Sequence, residues 1–184
     1  MAVYVRPNLF LIILLSLSPH FVKGQFRNYK KTFENYNEAY AMLARSLSGE
    51  SELRFKDAVF LVESTYYYHQ LDTIKLTAAT KKLAKLCKAF KEANKLNYDL
   101  KDETTVSTWA AIFKVLTDTI QIIQPDGGIA PHFPYTYDFE DFFGENDWSN
   151  MFVTKLIGTR TGNCHSLPYL YKILAEELGT TAQL

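Results

Sequence analysis

The sequence predicts a mainly α-helical protein. Apolar side chains recur every three to four residues in several successive segments, which is the spacing of one face of a helix. Hydrophobic residues make up 47% of the 184 residues and aromatic residues 15%, which indicates a globular chain rather than a disordered one. Turn-forming residues such as Ser48-Gly49 and Pro125-Asp126-Gly127-Gly128 separate the segments.

Residues 1–24 have the pattern of a secretory signal peptide. Arg6 supplies a positive charge, Leu9–Leu17 is apolar apart from Ser16, and Val22-Lys23-Gly24 precedes a cleavage position. The apolar run is too short to remain as a transmembrane helix, which needs about 20 residues. We therefore expect an exported protein, periplasmic or secreted, with no stable membrane span after cleavage.

The charge balance excludes one class of partner. The sequence has 20 basic and 20 acidic residues, and removal of the signal peptide takes away Arg6 and Lys23, which leaves a net charge of −2. This balance provides no basic footprint for nucleic acid.

The chain has two cysteines, Cys87 and Cys164, which are too few for a disulfide framework and have no metal-ligand spacing. We expect no metal and no cofactor. Cys87 shares a helical face with Leu83, Leu86 and Phe90, which indicates a small buried apolar side chain. A disulfide between the two cysteines remains an alternative, because an exported protein enters an oxidising compartment.

Residues 25–123 are predicted to form a helical N-terminal region. Ser51 and Asp72 are possible N-caps, and Val59, Val62 and Tyr66 are expected to face the core. Four helices follow from the spacing of their apolar residues, over Arg27–Leu47, Phe55–Leu71, Thr73 to about Leu96, and about Thr105–Ile120.

Residues 124–184 form a second predicted region. Its first part, residues 124–147, is expected to be irregular because of Pro131, Pro134 and Gly144. The acidic and aromatic stretch Tyr135–Phe143 is explained equally well as a substrate-binding loop or as a structured connection.

Two helices are predicted to follow this loop. The first is short, covers Asp147–Ile157 and is separated from the second by the turn Gly158–Gly162. The second has an apolar stripe and ends at Gly179, a typical residue after a helix. The stripe consists of Leu167, Leu170, Leu174 and Leu178.

Cys164 is the candidate catalytic residue. It lies at or just before the N-terminus of the last helix, where unpaired amides and the helix dipole favour an anion. A thiol at such a position ionises more readily than a free thiol, and the thiolate is the nucleophile. Pro168 leaves two registers open for this helix, with either Asn163 or Ser166 as the N-cap. With Asn163 as the N-cap, the helix favours ionisation of the Cys164 thiol more strongly.

The segment around Cys164 resembles the transglutaminase-like superfamily, which shares its Cys-His-Asp chemistry with papain-like proteases. It is most similar to SirB1-like bacterial members with a helical N-terminal portion. The resemblance is carried by Gly162-Asn163-Cys164, by the helix Leu167–Gly179 after it and by the helix Asp147–Ile157 about a dozen residues before it.

The resemblance implies an α+β core in which the cysteine helix packs on an antiparallel sheet. The first strand after the helix would supply a histidine and the next an aspartate, and the cysteine would attack an amide carbonyl. By that pattern Cys164 is the nucleophile, and Thr180–Leu184 is only the start of the first strand. The sheet and the two partner residues would lie beyond residue 184, so this core is expected to be truncated.

The sequence gives weaker support for placing other side chains in the site. Asn163 is a candidate for an oxyanion contact or for turn geometry, and Trp148 for a wall of the cleft or for packing. No histidine is an evident base: His165 points away from its neighbour Cys164 on a helix, His132 lies in the aromatic loop, and His69 is expected in the core.

Two functions are compatible with these features. The first is an exported cysteine acyl-transfer enzyme that hydrolyses or transamidates amide bonds of a peptide or protein substrate. The alternative is a non-catalytic helical binding or scaffold protein with a degenerate transglutaminase-like core, in which Cys164 is inherited or structural.

Overall fold

The computed structural model describes residues 34–96, 101–124 and 126–183. These residues are mainly α-helical, which confirms the predicted class. The predicted signal peptide and the predicted break at residues 97–99 lie outside the described residues. The chain divides into two compact units, residues 1–53 and 54–184. Among the described helices, none has both the length and the apolar composition needed to cross a bilayer.

In the first unit, residues 34–47 form helix α1. The backbone N–H of Ser48 donates to the carbonyl oxygen of Ala44 at 2.9 Å, and Gly49 takes a φ of +81°. Glycine adopts this left-handed conformation without the steric cost that a side chain brings. The predicted end of the first helix is therefore confirmed.

The second unit is described as five α-helices, one 3₁₀ helix and two pairs of short strands. The α-helices are α2 (Phe55–Tyr66), α3 (Thr73–Ala93), α4 (Glu103–Thr117), α5 (Val153–Thr159) and α6 (Ser166–Glu177). The 3₁₀ helix covers Trp148–Met151. The strands are β1 (Ile120–Ile123), β2 (Ile129–His132), β3 (Thr136–Tyr137) and β4 (Thr161–Gly162).

The core of this unit lies between α3, α4, α5 and α6. Helix α3 packs along α4, and α6 contacts α3, α4 and α5. Leu170 and Leu174 of the predicted apolar stripe are completely buried there, as is Ile112 of α4. This one core contains residues from both predicted regions, that is, from before and after position 124.

The two predicted N-caps have different outcomes. Asp72 caps α3 as predicted, since its carboxylate accepts a hydrogen bond from the Lys75 N–H at 3.0 Å. The Ser51 cap is wrong, because Arg54 occupies the N-cap position of α2.

Helix α2 stops at Tyr66 rather than Leu71. Tyr68 and His69 have φ values of 53° and 60°, and this left-handed backbone ends the helix. His69 therefore lies exposed in a turn, so its prediction as a core histidine is wrong.

Helix α4 ends at Thr117, earlier than predicted, and the chain continues as a strand. Asp118 is already extended, with a ψ of 153°. The segment Ile120–Ile123 then pairs antiparallel with β2. Its isoleucines are β-branched, which suits a pleated strand better than a helix.

The predicted irregularity of residues 124–147 is wrong for β2 and for the two-residue strand β3. Pro131 lies inside β2, opposite Gln121 of β1. Both strands of a two-stranded ribbon are edges, where a proline without an N–H is tolerated.

The predicted helix Asp147–Ile157 is two elements rather than one. Phe152, with a ψ of 134°, interrupts it between the 3₁₀ helix and α5. At the other end of the unit, α6 is followed by Gly179 with a φ of +73°, which confirms the predicted stop. Residues 180–183, for which the resemblance implies the start of a strand, form no strand.

Candidate functional site

The turn that carries Cys164 is held by a short parallel strand pair. Strand β4 pairs with β3 so that Tyr137 lies opposite Gly162. The N–H of Asp138 donates to the Gly162 carbonyl oxygen at 2.7 Å. This pairing brings the Tyr137 side chain beside Cys164, two residues after Gly162.

Gly162 cannot carry a side chain in this position. A Cβ atom there would lie 2.5 Å from Ser166 Oγ and 2.8 Å from Leu156 Cδ1. Both atoms belong to buried residues packed around the turn. The glycine thus allows β4 to approach the start of α6 closely enough to fix the turn.

Asn163 organises the start of α6. Its side-chain oxygen accepts the N–H of His165 at 3.0 Å and the N–H of Ser166 at 3.1 Å. Its Nδ2 donates to the Phe142 carbonyl oxygen at 3.0 Å and to Met151 Sδ at 2.9 Å. All donors and acceptors of this buried amide are used by the turn, so the structure accounts for Asn163 by turn geometry.

The observed start of α6 matches neither of the two predicted registers completely. The helix begins at Ser166 with His165 at the N-cap position, but the capping hydrogen bonds come from Asn163. Pro168 lies in the first turn, where the absence of an N–H breaks no helical hydrogen bond. Cys164 lies two residues before the helix.

The two cysteines are free and occupy contrasting environments. Cys164 is exposed, whereas Cys87 has no exposed surface. Burial raises the pKa of Cys87 to about 12, so this thiol stays protonated at neutral pH. Cys87 is therefore the packed side chain that its helical face predicted, and the structure contains no disulfide between the two.

Tyr137 is the side chain next to Cys164 that sequence reasoning missed. Desolvation, and after it a hydrogen bond with the Cys164 side chain, raises the pKa of Tyr137 above its usual value. The phenol consequently keeps its proton at neutral pH and can donate toward the sulfur atom. Strands β3 and β4 have two residues each, which is too short for a periodic signal in the sequence.

The histidines of the described residues make their contacts elsewhere. His165 Nδ1 is hydrogen-bonded to the Met151 carbonyl oxygen at 2.9 Å. His132 is buried, its Nε2 bonds to the Val115 carbonyl oxygen at 2.8 Å, and burial lowers its pKa. His69 is exposed in the turn after α2.

The acidic and aromatic loop is a structured connection around the Cys164 turn. The Asp141 carboxylate accepts the N–H of Asp147 at 2.9 Å and Asn150 Nδ2 at 2.8 Å. A hydrogen bond from Lys155, followed by hydrogen bonds from Ser149, lowers the pKa of Asp147 to about 2. Phe142 is the link to the site, since its carbonyl oxygen binds Asn163.

Trp148, the other predicted site residue, begins the 3₁₀ helix. Its side chain is 56% exposed, so it is not a packing residue of the core. It lies on the same loop segment as the exposed rings of Phe139 and Phe143.

A second buried group fixes the elements behind the site. Glu63 of α2 is only 4% exposed, and its carboxylate accepts the N–H of Val153 and the N–H of Thr154, both at 2.8 Å. It thus satisfies two amides at the start of α5. Burial raises the pKa of Glu63 in spite of these hydrogen bonds.

Glu63 gives a pH-dependent prediction. Because its pKa is higher in the folded than in the unfolded protein, protonation favours the fold, and this contribution is lost as the pH rises through the folded pKa. The free energy of unfolding of the wild type minus that of Glu63→Gln is therefore expected to increase as the pH falls from 8 to 5. Urea unfolding of both proteins at each pH measures this difference in the free energy of unfolding. A difference that stays constant or decreases contradicts the assignment.

No three His, Cys, Asp or Glu side chains within residues 34–96, 101–124 and 126–183 are grouped as ligands for a metal ion. The chain was compared with protein-family models, curated proteins and solved structures, and none of them matches it.

Proposed function

We propose that this chain belongs to the transglutaminase-like superfamily and that Cys164 is the nucleophile of an exported enzyme acting on amide bonds of peptides or proteins. The observation that carries the proposal is the placement of Cys164. Its thiol is exposed, lies two residues before α6, and stands beside Tyr137 on a turn fixed by buried contacts.

In the proposed reaction the Cys164 sulfur attacks the carbonyl carbon of a substrate amide. The new C–S bond forms, the C–N bond breaks, and the leaving amine takes up a proton. Water or a second amine then attacks the thioester and restores the thiol. The two acceptors give hydrolysis and transamidation, respectively.

Proton transfer needs a group that the described residues do not bring to Cys164. We assign it to a histidine oriented by an aspartate, as the resemblance implies. Tyr137, which pairs with Gly162 of the same turn, brings a hydroxyl that can donate a hydrogen bond beside the site. The predicted signal peptide in residues 1–24 assigns the enzyme to the periplasm or the exterior.

Turnover of a peptide mixture tests this proposal. The full-length protein is incubated with a protein digest and a fluorescent primary amine, and mass spectrometry follows amine incorporation and amide hydrolysis. Cys164→Ser is expected to lower both rates by at least about 10³-fold, as for other catalytic nucleophiles. Cys87→Ala is the control and keeps both activities. Equal rates for the wild type and Cys164→Ser would refute the assignment.

One observation favours the alternative of a non-catalytic binding or scaffold protein. The imidazoles of His132 and His165 are both hydrogen-bonded to backbone carbonyls rather than to Cys164. In a scaffold protein Cys164→Ser leaves partner binding unchanged. Capture of the same partners by the wild type and by this variant, with no turnover by either, distinguishes the scaffold from the enzyme.

A further inference from the structure

A cavity of about 680 Å³ lies in the second unit between the end of α4, strand β3 and the first turns of α6. This volume is within the range of small-molecule sites, which span roughly 300–1,000 Å³. Its walls are formed mainly by aromatic and aliphatic side chains, among them Phe113, Leu116, Tyr135, Tyr137, Leu167 and Tyr171.

The cavity is suited to an apolar occupant. None of the described residues that line it is charged. The Tyr171 hydroxyl donates to the Trp109 carbonyl oxygen at 3.1 Å, and the Thr117 hydroxyl donates to the Phe113 carbonyl oxygen at 2.9 Å. Since these two hydroxyls already have partners, a polar ligand would gain little from them and would lose its own contacts with water.

The aromatic walls favour an aromatic ring over an aliphatic chain. Four rings line the space, and pairs of aromatic rings in edge or offset contact add about 0.5–1.5 kcal/mol to the burial of their surface. They are the rings of Phe113, Tyr135, Tyr137 and Tyr171.

The cavity lies beside the turn that carries Cys164. Tyr137 lines the cavity and pairs with Gly162, two residues before Cys164. Leu167 and Pro168, three and four residues after Cys164, line it as well. A substrate side chain placed in the cavity would therefore lie beside the turn that carries Cys164.

The surrounding charge indicates which side chains are excluded. The segment Tyr135–Trp148 contains five carboxylates and no lysine or arginine. Glu140 and Glu145 are exposed there. These exposed carboxylates disfavour an acidic substrate segment that runs along the loop.

We propose that this cavity is the specificity pocket for the Cys164 reaction and binds an aromatic side chain next to the amide bond that is attacked. The inference rests on the proposed function of Cys164 and adds the class of substrate to it.

Two alkylating reagents that differ by one benzyl group test whether the cavity binds an aromatic ring. Rate constants are measured at Cys164 for iodoacetamide and for its N-benzyl derivative, with glutathione as the reference thiol. The ratio of the benzyl to the parent rate constant is expected to be at least tenfold higher for Cys164 than for glutathione. Excess 3-phenylpropanol, which has the aromatic ring but no amide bond, should abolish the difference by competition.

Two pairs of variants link the preference to the cavity. Ala182→Phe fills the cavity and should remove the preference for the benzyl reagent, whereas Thr181→Phe adds the same ring one residue earlier, outside the lining, and should keep it. Phe113→Ala should weaken the preference and Phe133→Ala should not, and these two rings are similarly exposed at 57% and 55%. Circular dichroism verifies that each variant is folded.

The outcomes separate the inference from the proposed function. No benzyl preference in the wild type, or a preference that folded Ala182→Phe retains, overturns the pocket and leaves the nucleophile in place. The proposed function is refuted if N-acetyl-phenylalaninamide binds to Cys164→Ser but no peptide acylates the wild type. The role of the cavity in substrate choice is then refuted as well.

Discussion

Iodoacetamide is expected to alkylate Cys164 on the order of 10³ times faster than Cys87 in the folded protein. The Cys87 thiol has no exposed surface, and burial raises its pKa to about 12, so its thiolate is nearly absent at pH 7.5. Cys164 is exposed on the turn before α6. Peptide mapping by mass spectrometry after timed labelling gives both rate constants in one experiment.

Two controls make this result specific to the fold. In concentrated guanidinium chloride the two cysteines should react at similar rates, because burial no longer protects Cys87. In Cys87→Ala the rate at Cys164 should be unchanged. Comparable labelling of the two cysteines in the native protein would show that the placement of Cys164 described above is wrong.

Asn163→Ala is expected to reduce the free energy of unfolding by about 3 kcal/mol, because each unsatisfied buried group costs about 1–3 kcal/mol. The substitution leaves the N–H groups of His165 and Ser166 and the carbonyl oxygen of Phe142 without the partner they have in the wild type. Asn163 and Ser166 are completely buried, so water does not readily replace the hydrogen bond between them. Urea unfolding followed by circular dichroism measures the loss.

Asn146→Ala is the matched control in the same region. Asn146 is exposed, and its side chain makes only a long contact with Asp141, at 3.5 Å. Its replacement should cost less than about 0.5 kcal/mol, the usual scale for surface positions. Losses of similar size for the two variants would contradict the view that Asn163 holds the Cys164 turn.

The helical class could be predicted because the helices keep their apolar spacing over long segments. The stripe of α6 at Leu170 and Leu174 is buried as expected. In α2 the predicted inner face is wrong at two positions, since Val62 and Tyr66 are 43% and 38% exposed while Glu63 is buried. A helix that is apolar over much of its circumference gives no unique inner face, and a buried carboxylate is recognisable only from the amides that it accepts.

The candidate site could be predicted in part. The position of Cys164 before a helix follows from local sequence, because Gly162, Asn163 and Pro168 restrict the turn. The neighbour Tyr137 lies 27 positions earlier in the chain and reaches Cys164 through two paired residues on each side. Such a contact depends on tertiary packing and leaves no periodic trace in the sequence.

Trapping of an acyl-enzyme on Cys164 tests the central claim most directly. The purified protein is mixed with a peptide thioester that carries a phenylalanine at its acyl end, and intact-protein mass spectrometry is recorded over time. We expect a single acyl adduct on Cys164, removed by hydroxylamine, absent in Cys164→Ser and retained in Cys87→Ala. A wild type that acquires no adduct at Cys164, or no more than glutathione does under the same conditions, would contradict the account.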